Sequence, residues 1–146
     1  MEEPLLEPGL HDFRLSDIGN HFLQDFSESN TRKRLIAELE QYTKLISNFL
    51  ESVELWLDGS FTTTKLNPND IDLVVFISAE EANALPTEKK EQLRGLLDNP
   101  TIKSRFGLDV YVSIMGDEPQ RSYWRGWFGF DRDEKPKGIA RVMVKA

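Results

Sequence analysis

One stretch limits the choice of fold more than any other. It runs Leu55-Trp56-Leu57-Asp58-Gly59-Ser60, then a polar spacer, then Asp70-Ile71-Asp72-Leu73-Val74-Val75-Phe76-Ile77. The apolar run Val53 to Leu57 stops at Gly59-Ser60, and a second run opens after the turn signal Asn67-Pro68-Asn69. Short apolar runs bounded by turn residues read as strands. Strand side chains alternate faces, so Asp70 and Asp72 project together while Ile71, Leu73, Val75 and Ile77 point the other way into a core. Two acids at the mouth of an apolar strand repel each other and lose solvation, which calls for a cation. Carboxylate oxygens suit Mg²⁺ or Mn²⁺, and Mg²⁺ is commonly held by a few carboxylates together with substrate phosphates. Gly59-Ser60 offers the phosphate end, because glycine allows close backbone approach and a following helical turn presents free N–H groups.

The rest of the chain supplies elements to pack on these strands. Met1 to His11 is acidic, contains prolines and reads as a loose arm. A short helix is expected from Ser16 to Phe26. Asn30 is the expected cap of a long helix from Thr31 to about Glu51, whose Leu35, Ile36, Leu39, Tyr42, Leu45, Ile46, Phe49 and Leu50 form one apolar stripe. Arg32-Lys33-Arg34 in its first turn is unfavourable to the helix dipole and reads as a solvated face or a contact for phosphate or a partner. Ser78-Ala79-Glu80-Glu81 fits a capping box. Pro86-Thr87 opens a further helix that stops at Asn99-Pro100. Gly107 to Met115 and Gly138 to Val144 are the third and fourth strands. The order predicts one α/β (α+β) domain over 1–146, with an arm and short helix in 1–30 and a mixed sheet of about four strands flanked by helices.

Gly107 to Met115 brings a third acid. Asp109 stands early in that strand and shares a face with Tyr111 and Ser113. Charge is distributed in a way that bears on this: residues 1–100 hold 9 Lys/Arg against 19 Asp/Glu, and residues 101–146 hold 9 against 6. The net charge of −7 argues against a generic nucleic-acid binder. The basic tail interleaves Arg125, Arg132, Lys135 and Lys137 with Tyr123, Trp124, Trp127, Phe128 and Phe130. Aromatic faces stack on bases and guanidinium groups pair with phosphate; equally, such a segment covers a sheet edge. Gly126 and Gly129 suggest that it bends rather than running as a helix. The absence of cysteine excludes disulfides and thiolate metal sites. No stretch is apolar enough for a bilayer and the acidic N-terminus lacks a signal-peptide pattern, so a soluble, cytoplasmic protein is expected.

Leu57-Asp58-Gly59-Ser60, a spacer of nine residues, Asp70-Ile71-Asp72-Leu73-Val74 and then Leu108-Asp109-Val110 together resemble the DNA polymerase beta nucleotidyltransferase superfamily. The resemblance covers roughly residues 52–115. The spacer Thr62-Thr63-Thr64-Lys65 departs from the small bacterial antitoxin members, whose spacers often carry arginines. The whole chain is more similar to a group of short bacterial and mobile-element proteins marked by Asp58-Gly59-Ser60-Phe61, Asp70-Ile71-Asp72, the tail from Tyr123 to Arg132, and Lys137-Gly138-Ile139.

The resemblance implies a nucleotidyltransferase fold. It also implies two divalent ions, Mg²⁺ or Mn²⁺, about 4 Å apart, clamping a displacement at the α-phosphate of an NTP or dNTP. Asp70, Asp72 and Asp109 would be both metal ligands and catalytic groups. Gly59 and Ser60 would bind the β/γ-phosphates, with Lys65, Arg125 and Arg132 as further nucleotide-binding candidates. Lys65 reads equally as a solvated loop lysine. Asp58 is expected to cap the turn or bond the loop rather than hold metal. The acceptor hydroxyl would belong to a protein side chain or to a nucleotide 3′-end, giving untemplated single-stranded oligonucleotides. The resemblance also implies toxin control or phage defence, a partner toxin or effector encoded nearby, and room for oligomers. The alternative is a non-catalytic, antitoxin-like protein that neutralises a partner by contact.

Overall fold

Five strands form one sheet in the computed structural model, which describes residues 3–131 and 133–145. They are β1 (Gly9–Phe13), β2 (Ser52–Asp58), β3 (Ile71–Ile77), β4 (Leu108–Ile114) and β5 (Gly138–Lys145), in the order β1-β5-β2-β3-β4. β2 lies at the centre, antiparallel to both neighbours, whereas the outer pairs β1–β5 and β3–β4 are parallel. The sheet is therefore mixed. It has one strand more than the sequence suggested: Gly9–Phe13, inside and beyond the expected loose arm, pairs with β5, and Leu5 N–H donates to the Thr62 carbonyl at 2.9 Å.

Six α-helices accompany the sheet: α1 (Ile18–Phe22), α2 (Arg32–Ile46), α3 (Ala79–Ala84), α4 (Thr87–Leu96), α5 (Asn99–Phe106) and α6 (Glu118–Phe128). Leu55, Leu57, Ile71, Leu73, Val75, Leu108, Val110 and Val142 point to one face, where they pack with Ile18, Phe22, Leu35, Leu39, Ile46, Leu93, Leu96, Ile102 and Phe106. So α1, α2, α4 and α5 share that side. Trp56, Val74, Phe76 and Ile139 point to the other face and meet Phe128 and Trp124 of α6. Burying the larger cluster excludes water from aliphatic surface on both sides of the interface and supplies most of the driving force for folding.

Local chemistry sets the helix ends. Ser78 Oγ accepts from Glu81 N–H at 3.2 Å, as the capping box requires. The Glu81 carboxylate, however, accepts from Glu51 N–H instead of closing the box. The start of α2 is held not by Asn30 but by Ser29 Oγ, which accepts from Arg32 N–H at 3.1 Å; Asn67 Oδ1 in turn accepts from Asn30 N–H at 2.6 Å. α2 ends at Ile46, short of Glu51. The helix opened at Pro86-Thr87 stops at Leu96, just before Asn99-Pro100, which in turn begins another: Asp98 caps α5 and the proline falls in its first turn, where no N–H is needed. The tail also departs from expectation. Asp117 caps α6, Pro119 lies in its first turn, and the helix passes through Gly126. Packing of Trp124 and Phe128 on the sheet outweighs the cost of about 1 kcal/mol for an internal glycine. No helix among the described residues is long and apolar enough to cross a membrane.

Candidate active site: a row of aspartates across three strands

Sheet register aligns the acids. Asp58, the last residue of β2, is the cross-strand partner of Asp72, and Asp72 is the partner of Asp109 on β4. All three belong to the face that Trp56, Val74, Phe76 and Tyr111 share, and Asp70 precedes Asp72 by two residues. Like charges directly opposite each other on adjacent strands destabilise a sheet, so the arrangement needs compensation from outside it. Burial raises the Asp72 carboxyl to about 6; Asp70 and Asp109 push it the same way, and Lys137 and Lys103 resist.

Two lysines answer the acids differently. Lys137, just before β5, places Nζ 3.0 Å from Asp58 Oδ1, and both side chains are almost wholly enclosed. Burial raises the Asp58 carboxyl to about 7, against the pull of Lys137 and the hydroxyl of Thr62, which donates to Asp58 at 3.2 Å. Asp58 therefore bonds the loop, as its place before the glycine suggested. Lys103, from α5, sets Nζ 3.7 Å from Asp70 Oδ2 and 3.9 Å from Asp109 Oδ2, with 53 % of its side chain exposed.

Asp109 is held by donors on both oxygens. Asn99, one turn before Lys103 on α5, donates Nδ2–H to Oδ1 at 2.7 Å, and the Tyr111 hydroxyl donates to Oδ2 at 3.1 Å. Burial and the neighbouring Asp109 raise the Tyr111 hydroxyl to about 12, which keeps it a donor at neutral pH. Hydrogen bonds of this kind fix the orientation of a ligating carboxylate.

Gly59 and Ser60 open a 3₁₀ turn, Gly59–Thr62, directly after β2. Gly59 has φ +82°, and a Cβ there would stand 2.7 Å from Asp72 Oδ2. The turn thus lies against the acid row. The Ser60 hydroxyl makes no hydrogen bond among the described residues, while its carbonyl accepts from Thr63 N–H at 3.1 Å.

The spacer that follows is shaped by Arg32. Its guanidinium is buried and donates to four carbonyls, those of Phe22, Phe61, Thr63 and Lys65, while stacking 3.9 Å from the Phe26 ring centroid. Arg32 is therefore neither solvated nor a phosphate contact; desolvation lowers it to about 10. Its one sequence signal was an arginine where the helix dipole disfavours it.

The remaining candidates are placed as follows. Lys65 offers its carbonyl to Arg32 and its ammonium to no acid among the described residues. Arg125 is exposed on α6 and makes no ion pair among the described residues. Arg132 lies outside the described residues. The arginines that do meet the sheet on this side are Arg121 and Arg141, both on Glu54 and remote in sequence from the acids. Asn99, Lys103, Tyr111 and Lys137 complete the constellation; strand alternation put Tyr111 on the face of Asp109, whereas nothing in the sequence paired Asn99, Lys103 or Lys137 with the acids.

The donor set fits a hard divalent cation. Every candidate ligand is a carboxylate oxygen, and four aspartates face two lysines. Lys103 already stands as a cation between Asp70 and Asp109. Among the described residues no three histidine, aspartate or glutamate side chains are gathered closely enough to enclose one ion as they stand. The gap between Asp70 and Asp109 is the one that the Lys103 ammonium spans.

The fold and site define a mixed α/β protein with a cluster of aspartates at one end of its central strands. The chain belongs to the family described as a family of unknown function, DUF6932, whose model matches residues 1–143. No curated protein and no solved structure matches it.

Proposed function

We propose that this protein is a metal-dependent nucleotidyltransferase of the polymerase beta-like fold, transferring a nucleoside monophosphate from an NTP or dNTP to a hydroxyl. The observation that supports this best is the pairing of Asp72 with Asp109 on one sheet face, with the Gly59–Ser60 turn against Asp72 and Asp70, just ahead of β3, joined to Asp109 through Lys103. In the reaction the acceptor oxygen bonds to the α-phosphorus while the bond to the bridging oxygen breaks. Pyrophosphate leaves with that electron pair, and the hydroxyl proton passes to a carboxylate. Asp109, fixed by Asn99 and Tyr111, is oriented to receive it. Asp70, Asp72 and Asp109 would hold Mg²⁺ or Mn²⁺, two ions at most, which when bound would neutralise phosphate charge and polarise the reacting oxygens. The free Ser60 hydroxyl and the N–H groups of its turn would bind the leaving phosphates. Lys137 draws the Asp72 carboxyl toward its charged form.

The acceptor is either a protein hydroxyl or a nucleotide 3′-hydroxyl. A contact role, in which a partner is neutralised without chemistry, draws support from one observation. Tyr123 and Trp127 of α6 are 61 % and 65 % exposed, an uncommon display for large aromatics. Incubating the protein with each labelled NTP and dNTP and Mn²⁺, with and without Asp72→Asn, separates the readings. Transfer should fall by ~10³-fold or more in the variant, the scale expected when a bridging ligand is lost. A wild type that labels nothing with any nucleotide, or a variant that labels equally well, would remove the enzyme reading.

A further inference from the structure

The two lysines beside the aspartates differ in kind, and the difference points to a role for the exposed one. Lys137 is sealed against Asp58 at 3.0 Å with 10 % of its side chain exposed, so it is a fixed part of the site. Lys103 spans two acids from different segments at 3.7 and 3.9 Å, beyond hydrogen-bond length, and half of it is in water. Its direction is nonetheless set: Asn99, one helical turn earlier, bonds Asp109 at 2.7 Å and aligns that face of α5 with the acids. An exposed ion pair of this geometry contributes little stability and is readily exchanged.

We propose that Lys103 is a tethered counter-ion that occupies the cation position between Asp70 and Asp109 and must be displaced when a divalent ion binds there. This inference rests on the nucleotidyltransferase reading above. An ammonium so close to a bound divalent ion would repel it, so one of the two leaves. The resting site is thereby kept from collecting stray cations, and metal affinity is lower than Asp70, Asp72 and Asp109 would otherwise give it.

The test is a Mn²⁺ titration at low ionic strength, following free Mn²⁺ by electron paramagnetic resonance, on wild type, Lys103→Met, Lys103→Arg and Asp72→Asn. Because Lys103 is half-exposed, the variants should fold, and thermal melts verify this. Lys103→Met, which keeps length and removes charge, should bind Mn²⁺ about three- to tenfold more tightly than wild type. Lys103→Arg should match wild type. Mn²⁺ binding that Asp72→Asn abolishes but Lys103→Met leaves unchanged would overturn the inference and spare the enzyme reading. Absence of any Asp72-dependent Mn²⁺ binding, in wild type and Lys103→Met alike, would overturn both.

Discussion

A Cβ added to Gly59 would lie 2.7 Å from Asp72 Oδ2, nearer than non-bonded atoms approach. Gly59 also occupies a left-handed conformation, φ +82°, that other residues adopt only with strain. The turn and the acid are consequently fitted to each other. Gly59→Ala should displace Asp72 and reduce transfer by at least ~10²-fold, while unfolding free energy drops by only about 1–3 kcal/mol. Parallel assays of transfer and urea unfolding check this; equal activity in the variant would disconnect the turn from the chemistry.

Glu54 gives the fold an acid limit. Burial alone would raise its carboxyl, but hydrogen bonds from Arg121, Arg141 and Trp56 hold it down at about 2. For a depressed acid the stabilisation is present above the unfolded pKa, near 4.5, and is lost as pH falls through the folded value near 2. The amount is on the order of 3 kcal/mol. Denaturant melts between pH 6 and pH 2 should show this loss. Glu54→Gln should be less stable at neutral pH and flatter across the same window.

The Lys137–Asp58 pair predicts the opposite pH slope. Asp58 is raised to about 7, so its contribution is fully present below the unfolded value of 3.8 and is lost as pH rises through 7. Lys137→Met leaves the buried carboxylate without its cation and should lower the melting temperature more at pH 8 than at pH 6. Adding Asp58→Asn should recover part of the loss, since removing both charges costs less than stranding one. Equal losses at both pH values would show that the pair is not the source.

Trp124 and Trp127, three residues apart, should behave differently. Trp124 packs 5.0 Å from the Tyr111 ring centroid and 5.7 Å from that of Phe128. Trp127 points away and is largely exposed. Trp124→Ala should destabilise by about 2–4 kcal/mol, and Trp127→Ala by no more than about 0.5 kcal/mol. If the exposed face stacks on single strands, Trp127→Ala should instead weaken binding to a labelled oligonucleotide by about 1–3 kcal/mol.

The central strands and their acids could be read from the sequence because both signals are local. Alternation from Asp70 to Ile77 fixes which side chains share a face, and turn residues fix where the runs end. β1 was hidden: Gly9–Phe13 is a short edge strand with a histidine and an aspartate, and only its pairing with β5 makes it a strand. α6 was hidden by Gly126, whose local preference is overridden by the contacts of Trp124 and Phe128. Lys103 and Lys137 meet the acids only through tertiary packing; nothing along the chain marks Lys103, and Lys137 stood out only as part of the basic tail and its Lys137-Gly138-Ile139 run, not as a partner of Asp58. Arg32 read as part of a solvated face or as a contact for phosphate or a partner, and its burial depends on carbonyls supplied by two other segments, the end of α1 and the loop after β2.

That guanidinium also ties the loop beside the acids to the rest of the molecule. In the loop carrying Ser60 to Lys65, the carbonyls of Phe61, Thr63 and Lys65 all accept from Arg32, which reaches them from the first turn of α2. The finished shape of the loop beside the acids therefore depends on a contact made across a long stretch of sequence. The loop and the core should melt in one cooperative step, so no partly unfolded species should keep the loop ordered or lose it early.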